Sequence, residues 1–206
     1  IWNALTPPIE IEDAAISAGV AYSIRLAMVT LQRRGEVTGM RLDEIDLANR
    51  IWIIPQDRTK NHRTHVVPLS NLAVELIEQA LRIRCSDSPY VFPSPRDSKK
   101  PIRPEAMTRA FGRMKRALKL GDIRPHDLRR TGATNLTSER LGFPRFTVSK
   151  ILNHASDTGN SAAVTSVYDR NEYLAEKRRA LDAWAKRIVQ ITSETEPTDN
   201  VVQLRT

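Results

Sequence analysis

Histidine, arginine and tyrosine side chains crowd one stretch of this sequence. R-P-H-D-L-R-R-T-G-A-T runs from 124 to 134, I-L-N-H from 151 to 154 and V-Y-D-R from 167 to 170. It offers His126 and Arg129 three positions apart, a second histidine, His154, and Tyr168. An arginine fork can hold a phosphate by two oxygens, histidines can hydrogen-bond it or move protons, and a tyrosine oxygen can attack it. Arg33 and Lys60, far earlier in the chain, extend the set. Each of the six also has an ordinary explanation. Arg33 could close a helix where a cation meets the negative dipole end. Lys60 could be solvated at a hairpin tip, the two histidines could cap helices, and Tyr168 could pack in an amphipathic core.

These groups act together only if the elements between them fold them together. Thr6-Pro7-Pro8 is the expected helix entry, since proline suits a first turn. Val20, Ile24, Ala27, Met28 and Leu31 then recur at helical spacing and predict one apolar face. Gly35 is the expected cap in Q-R-R-G-E-V, with Glu36 starting the next element. Ile45, Leu47, Ile51, Ile53 and Ile54, then 65–69, predict three short antiparallel strands. Ala48-Asn49 is the first turn, and Lys60 lies at the tip joining the last two strands.

Ser70 is the expected N-cap of a helix with Leu72, Ala73, Leu76, Ile77, Ala80 and Leu81 inward. Residues 86–100 are rich in Ser, Pro and Lys and read as loop, tacked to the core by Val91-Phe92. A helix through Met107, Phe111 and Met114, ending near Gly121, carries Arg109, Arg113, Lys115, Arg116 and Lys119 on its other face. That face is either solvated or turned to DNA. Residues 127–136 and 146–152 predict two further helices, the second ending on Asn153-His154. The small polar linker 155–163 is a candidate mobile loop. A last helix over about 171–191 has a stripe of Leu174, Leu181, Trp184, Ile188 and Ile191.

Composition sets the outer limits. A chain of 206 residues can bury a full core, and the reading is one domain over 1–192 with a polar tail over 193–206. A net charge of +8 favours a polyanionic partner, nucleic acid before an anionic membrane surface. The single Cys85, expected to be at least half-buried, excludes an intrachain disulfide framework and fits a reducing, cytoplasmic setting. No apolar run approaches the ~18–20 residues of a membrane span, and no leader pattern is visible. The chain opens on Ile1 without a methionine, which suggests a piece of a longer protein.

The order and surroundings of the six residues match a known pattern. T-L-Q-R-R-G-E-V at 30–37 with I-D-L at 45–47, R-T-K-N-H-R-T-H-V-V-P-L-S at 58–70, H-D-L-R-R-T-G-A-T at 126–134, I-L-N-H at 151–154 and Y-D-R-N-E-Y at 168–173 carry it. Over about residues 20–190 the chain resembles the catalytic domain of the tyrosine recombinases, the phage-integrase family, and within it the integrases of prophages and genomic islands. The resemblance implies an α+β, mostly α fold, with a small three-stranded antiparallel sheet, that breaks and rejoins DNA. It implies that Arg33 and Arg129 are the catalytic arginines, Glu36 their acidic support and Lys60 the hairpin lysine. His126 pairs with Arg129 in H-x-x-R, His154 is the second histidine and Tyr168 the nucleophile. One departure is visible: Leu31 stands where the family usually has glycine in T-G-x-R.

The implied chemistry fits these residue types. A phosphodiester under attack gains charge on its non-bridging oxygens, which fixed arginines offset. Tyr168 would form a 3′-phosphotyrosyl link, Lys60 would protonate the leaving 5′ oxygen, and His126 would assist proton transfer at the tyrosine. Neither a metal nor another cofactor is needed. Tyr22 in an apolar helix and Tyr90 in a Pro-rich loop read as structural. Tyr173 is the competitor for the nucleophile, but its place inside the last helix favours packing, and the resemblance puts the nucleophile at Y-D-R. Double-stranded DNA is the implied partner, with four protomers acting together on it and a monomer conceivable without it. The C-terminal helix packs on a neighbouring protomer in many family members or folds back in cis, and accessory DNA-bending proteins are compatible. Two rivals remain at this level: a type IB topoisomerase-like enzyme that relaxes supercoils, and a DNA-binding module that has lost catalysis.

Overall fold

A helix that is apolar on nearly every side must run through the middle of a domain. In the computed structural model, which describes residues 1–7, 9, 15–84, 87–154 and 173–193, that helix is α1, Ala18–Thr30. Every residue from Val20 to Ala27 is buried, so the single apolar face expected from spacing is in fact a full circumference. Two of its polar side chains are satisfied locally, the Ser23 hydroxyl donating to the Val20 carbonyl at 2.7 Å and Thr30 to Leu26 at 2.8 Å. The helix starts after Ser17. Thr6 and Pro7 are not its entry; they follow a short 3₁₀ turn at Asn3–Leu5.

α1 ends on Leu31, which takes the left-handed conformation with φ 59° and ψ 22°. Its amide donates to the Ala27 carbonyl at 3.0 Å. A leucine there costs backbone energy on the order of 1–2 kcal/mol, and burial offsets it: the side chain is fully enclosed and covers Gly132. A Cβ on Gly132 would lie 2.2 Å from Leu31 Cδ2. The turn for which the family usually uses glycine is thus made by leucine, with a glycine opposite to receive it. Gly35 is therefore not the cap; it lies inside α2, Arg34–Thr38.

The sheet has the expected form. β1 (Ile45–Asp46), β2 (Ile51–Ile54) and β3 (His65–Pro68) pair antiparallel in that order. Ile54 stands opposite His65 and Trp52 opposite Val67. All four are buried while Ile53 faces out, the alternation a half-buried sheet imposes. Ser70 caps α3 (Asn71–Ile83), its hydroxyl accepting from the Ala73 amide at 3.3 Å. The segment read as loop holds a second hairpin, β4 (Pro93–Ser94) with β5 (Asp97–Pro101). Its strands are polar and mostly part-exposed, so no apolar alternation announced them.

α4 (Pro104–Ala117), α5 (Pro125–Thr137), α6 (Arg145–Ile151) and α7 (Leu174–Thr192) complete the described chain. α7 packs on its own chain. Ala180, Leu181, Trp184, Ala185 and Ile188 are buried, the Trp184 indole donates to the Met28 carbonyl at 2.7 Å, and Lys177 Nζ donates to Val66 at 2.6 Å. Ile191 departs from the expected stripe and is 55% exposed. Tyr173 is the residue before α7, at φ 49°, not inside it. Cys85, the linker at 155–163, Tyr168 and the tail from 194 lie outside the described residues.

Candidate active site

Arg33 is the N-cap of α2 and Glu36 its third helical residue. Glu36 Oε2 accepts from the Arg33 amide at 2.8 Å, and Oε1 accepts from the Arg33 guanidinium at 3.1 Å. A carboxylate in a first helical turn also meets the positive dipole end. Glu36 is buried and Arg33 only partly so. One acidic side chain therefore starts the helix and aims the arginine.

Arg129 lies on α5, 5% exposed. It donates to the Leu31 carbonyl at 2.6 Å and to the Leu152 carbonyl. Burial, and then the neighbouring charge of Arg33, lowers its pKa to about 10, with Glu36 opposing. It stays cationic at neutral pH. Three residues earlier on the same helix face stands His126, exposed in the first turn. Asp127 fixes that turn by accepting from the Arg124 amide at 2.9 Å. His126, Arg129 and Arg33 line one cleft of about 440 Å³, with Gln32, Arg34 and Arg124. Its wall includes Ile24, Ala27, Met107 and Phe111, an apolar backing that strengthens the field of the cations at the mouth.

The end of α6 ties these parts together. A helix leaves its last carbonyls without partners of its own, and here side chains from elsewhere take them. Ile151 O accepts from Gln32 Nε2 at 3.0 Å and His65 Nε2 at 3.1 Å. Leu152 O accepts from Arg129, and Asn153 O from the Arg33 guanidinium at 3.3 Å. Both arginines are thus held by the turn that leads into His154, which is exposed.

Lys60 is exposed in the loop between β2 and β3, as expected. Its neighbour Asn61 forms a reciprocal amide pair with Asn153, at 2.7 Å in one direction and 3.3 Å in the other. At the loop's near side Arg58 donates to the Glu36 carbonyl at 2.6 Å and pairs with Glu44. The hairpin is consequently fastened to α2 on one side and to the α6 turn on the other. Five of the six expected residues fall within the described chain: the turn after α6 joins Arg33, Arg129, the Lys60 loop and His154, and His126 lies on α5 with Arg129. Tyr22 is buried in α1, Tyr90 lies beside Arg41, and Tyr173 packs edge-on against Phe146 with ring centroids 5.1 Å apart.

Sequence reasoning missed Gln32, Asn61, His65 and Asn153. His65 is buried, and desolvation, then the charge of Lys177, drives its pKa down to about 3. A carbonyl can only accept, so the neutral ring carries its proton on Nε2. A histidine on the inward register of a strand ending in V-V-P-L was the one signal available.

A helical core with a small antiparallel sheet defines a class of fold shared with solved integrases. The lambda integrase catalytic core matches with a TM-score of 0.55 at 19% identity, over 77% of this chain and 91% of that one. The lambda integrase tetramer bound to a Holliday junction matches at 0.57 and 20%, over 78% and 45%. The chain belongs to the phage integrase family, whose model matches residues 1–173. The prophage integrase IntA of Escherichia coli K12 is 30% identical over 172 residues, 84% of this chain and 39% of that protein. The integrase of Shigella phage Sf6 is 28% identical over 157 residues, 76% and 38%. The chain spans about two fifths of these relatives.

Proposed function

We propose that this chain is the catalytic part of a site-specific DNA recombinase that integrates or excises a mobile element. Family membership together with one cleft bearing Arg33, His126 and Arg129 carries the reading. The two guanidiniums take the non-bridging oxygens of the scissile phosphate, each keeping N–H donors beyond those spent on backbone carbonyls. Glu36 holds Arg33 in place. Tyr168 attacks phosphorus, its phenolic proton passing toward His126. The bond to the 5′ oxygen breaks as Lys60 gives that oxygen a proton, and a 3′-phosphotyrosyl link conserves the bond for rejoining. His154 hydrogen-bonds the phosphate. The substrate is double-stranded DNA, consistent with the net charge of +8, and complete exchange uses four protomers on two sites, in a cell's cytoplasm.

The test uses the full-length protein and a nicked duplex copying the end of the element that encodes it, in EDTA. Wild type becomes covalently attached to the DNA, and Tyr168→Phe does not. Attachment by that variant would assign the nucleophile elsewhere, and a requirement for Mg²⁺ would remove the mechanism. Relaxation of supercoiled plasmid without exchange between two sites would favour a topoisomerase-like enzyme instead.

A further inference from the structure

We infer that Asn61 and Asn153 form a positioning pair that sets the reach of Lys60 toward the leaving oxygen. The inference rests on the general-acid reading of Lys60. Asn61 directly follows Lys60, and Asn153 directly precedes His154. Their side-chain amides face each other in both directions, at 2.7 and 3.3 Å, across the gap between the β2–β3 loop and the end of α6. The same Asn153 offers its backbone carbonyl to Arg33 at 3.3 Å. One residue therefore grips the proton donor's loop with its side chain and a phosphate-binding arginine with its main chain.

The local backbone suits this role. Asn153 sits at φ 47°, a conformation asparagine tolerates better than most side chains. The loop it grips is stiffened from within, since buried Thr59 donates to the Arg63 carbonyl at 2.8 Å and accepts from the Arg63 amide at 3.1 Å. The lysine itself is exposed on a long, flexible stem. Such a group reaches a fixed point reproducibly only if its anchor is fixed, and the Asn61–Asn153 pair is the anchor's tie to the phosphate clamp. A lysine correctly charged but displaced by about an ångström loses much of its advantage as a proton donor.

Asn61→Ala removes the pair from the loop side. Asn153→Gly removes it from the other side while relieving the left-handed backbone. Cleavage is followed with the full-length protein on nicked duplexes copying the element's end, one with an ordinary phosphodiester and one with sulfur replacing the bridging 5′ oxygen. A thiolate leaves without protonation, so the sulfur substrate reports everything except the general acid. Each variant should cleave the ordinary substrate about ten- to a hundredfold more slowly, and the sulfur substrate within about twofold of wild type. The double variant should be no slower than either single one, as expected of two halves of one contact.

Equal slowing on both substrates would mean that the pair supports the phosphate clamp, and normal cleavage of the ordinary substrate would mean that it positions nothing; either result overturns the inference. Lys60→Ala separates the two levels. If sulfur fails to restore Lys60→Ala, the general-acid reading falls and the inference falls with it. If sulfur restores Lys60→Ala but not the asparagine variants, only the inference falls.

Discussion

The residues proposed to hold the phosphate and those proposed to handle protons are built on different terms. Glu36 and Arg129 are buried, Arg33 is partly so, and each is bonded to backbone or to an opposite charge. Lys60 and His126 stand exposed, on a loop and in a first helical turn. A fixed cation must hold its place before charge develops, or the cost of organising it returns at the transition state. A proton donor or acceptor has instead to reach atoms that arrive with the substrate. The difference teaches that one half is continuous with the core and should govern stability as well as rate. The other should govern rate alone.

The largest effect expected from breaking that contrast is at Arg129. Arg129→Lys keeps a charge but loses the fork, and cleavage should fall on the order of 10²–10³-fold. It also withdraws donors from two buried carbonyls, which should cost roughly 1–3 kcal/mol of stability. Single-turnover cleavage and urea unfolding of the same preparation measure the two losses. A slow variant with unchanged stability would mean that the arginine is not part of the core.

Gly132→Ala probes the buried half without touching a charge. The added methyl would meet Leu31, and overpacking of this kind costs roughly 1–3 kcal/mol. Leu31→Gly removes both the collision and the left-handed leucine, so the double variant should be more stable than the sum of the singles. A coupling of about 0.5–3 kcal/mol in urea midpoints is expected, whereas strict additivity would show that the two residues do not share space.

His65 sharpens the comparison most finely. Burial and Lys177 hold its pKa at about 3, below the ordinary 6.5. The unfolded chain then binds a proton that the folded one refuses, so stability is full above the ordinary pKa and declines as pH falls through that window. At pH 5 the loss should be about 2 kcal/mol. His65→Gln, whose amide can donate to the same carbonyl without titrating, should lack this component. Equal losses between pH 7 and pH 5 in both proteins would show that His65 does not titrate as a buried neutral ring.

Much of this architecture was legible in advance. The isoleucines at 45–54 and the H-V-V-P-L run marked a sheet because alternation is local, and Ser70 marked a helix start because capping is local. The short polar strands β4 and β5 escaped because their pairing is backbone to backbone and leaves no apolar signature. Gly35 was misjudged as a cap because residue type alone favours glycine at a left-handed position. Only the packing of Leu31 over Gly132 shows why leucine holds it.

The sequence alone determined the chemistry on offer: the family, the two arginines, the hairpin lysine, the histidines and Tyr168 as expected nucleophile. Those rest on residue type and order, which survive in one dimension. The tertiary structure decided what holds the described members together, namely three successive carbonyls at the end of α6 and an asparagine pair across two loops. Contacts such as Gln32 with Ile151 or Asn61 with Asn153 join residues far apart in the chain. No periodicity reports them, because a hydrogen bond of this kind depends on where two elements meet rather than on what either element is.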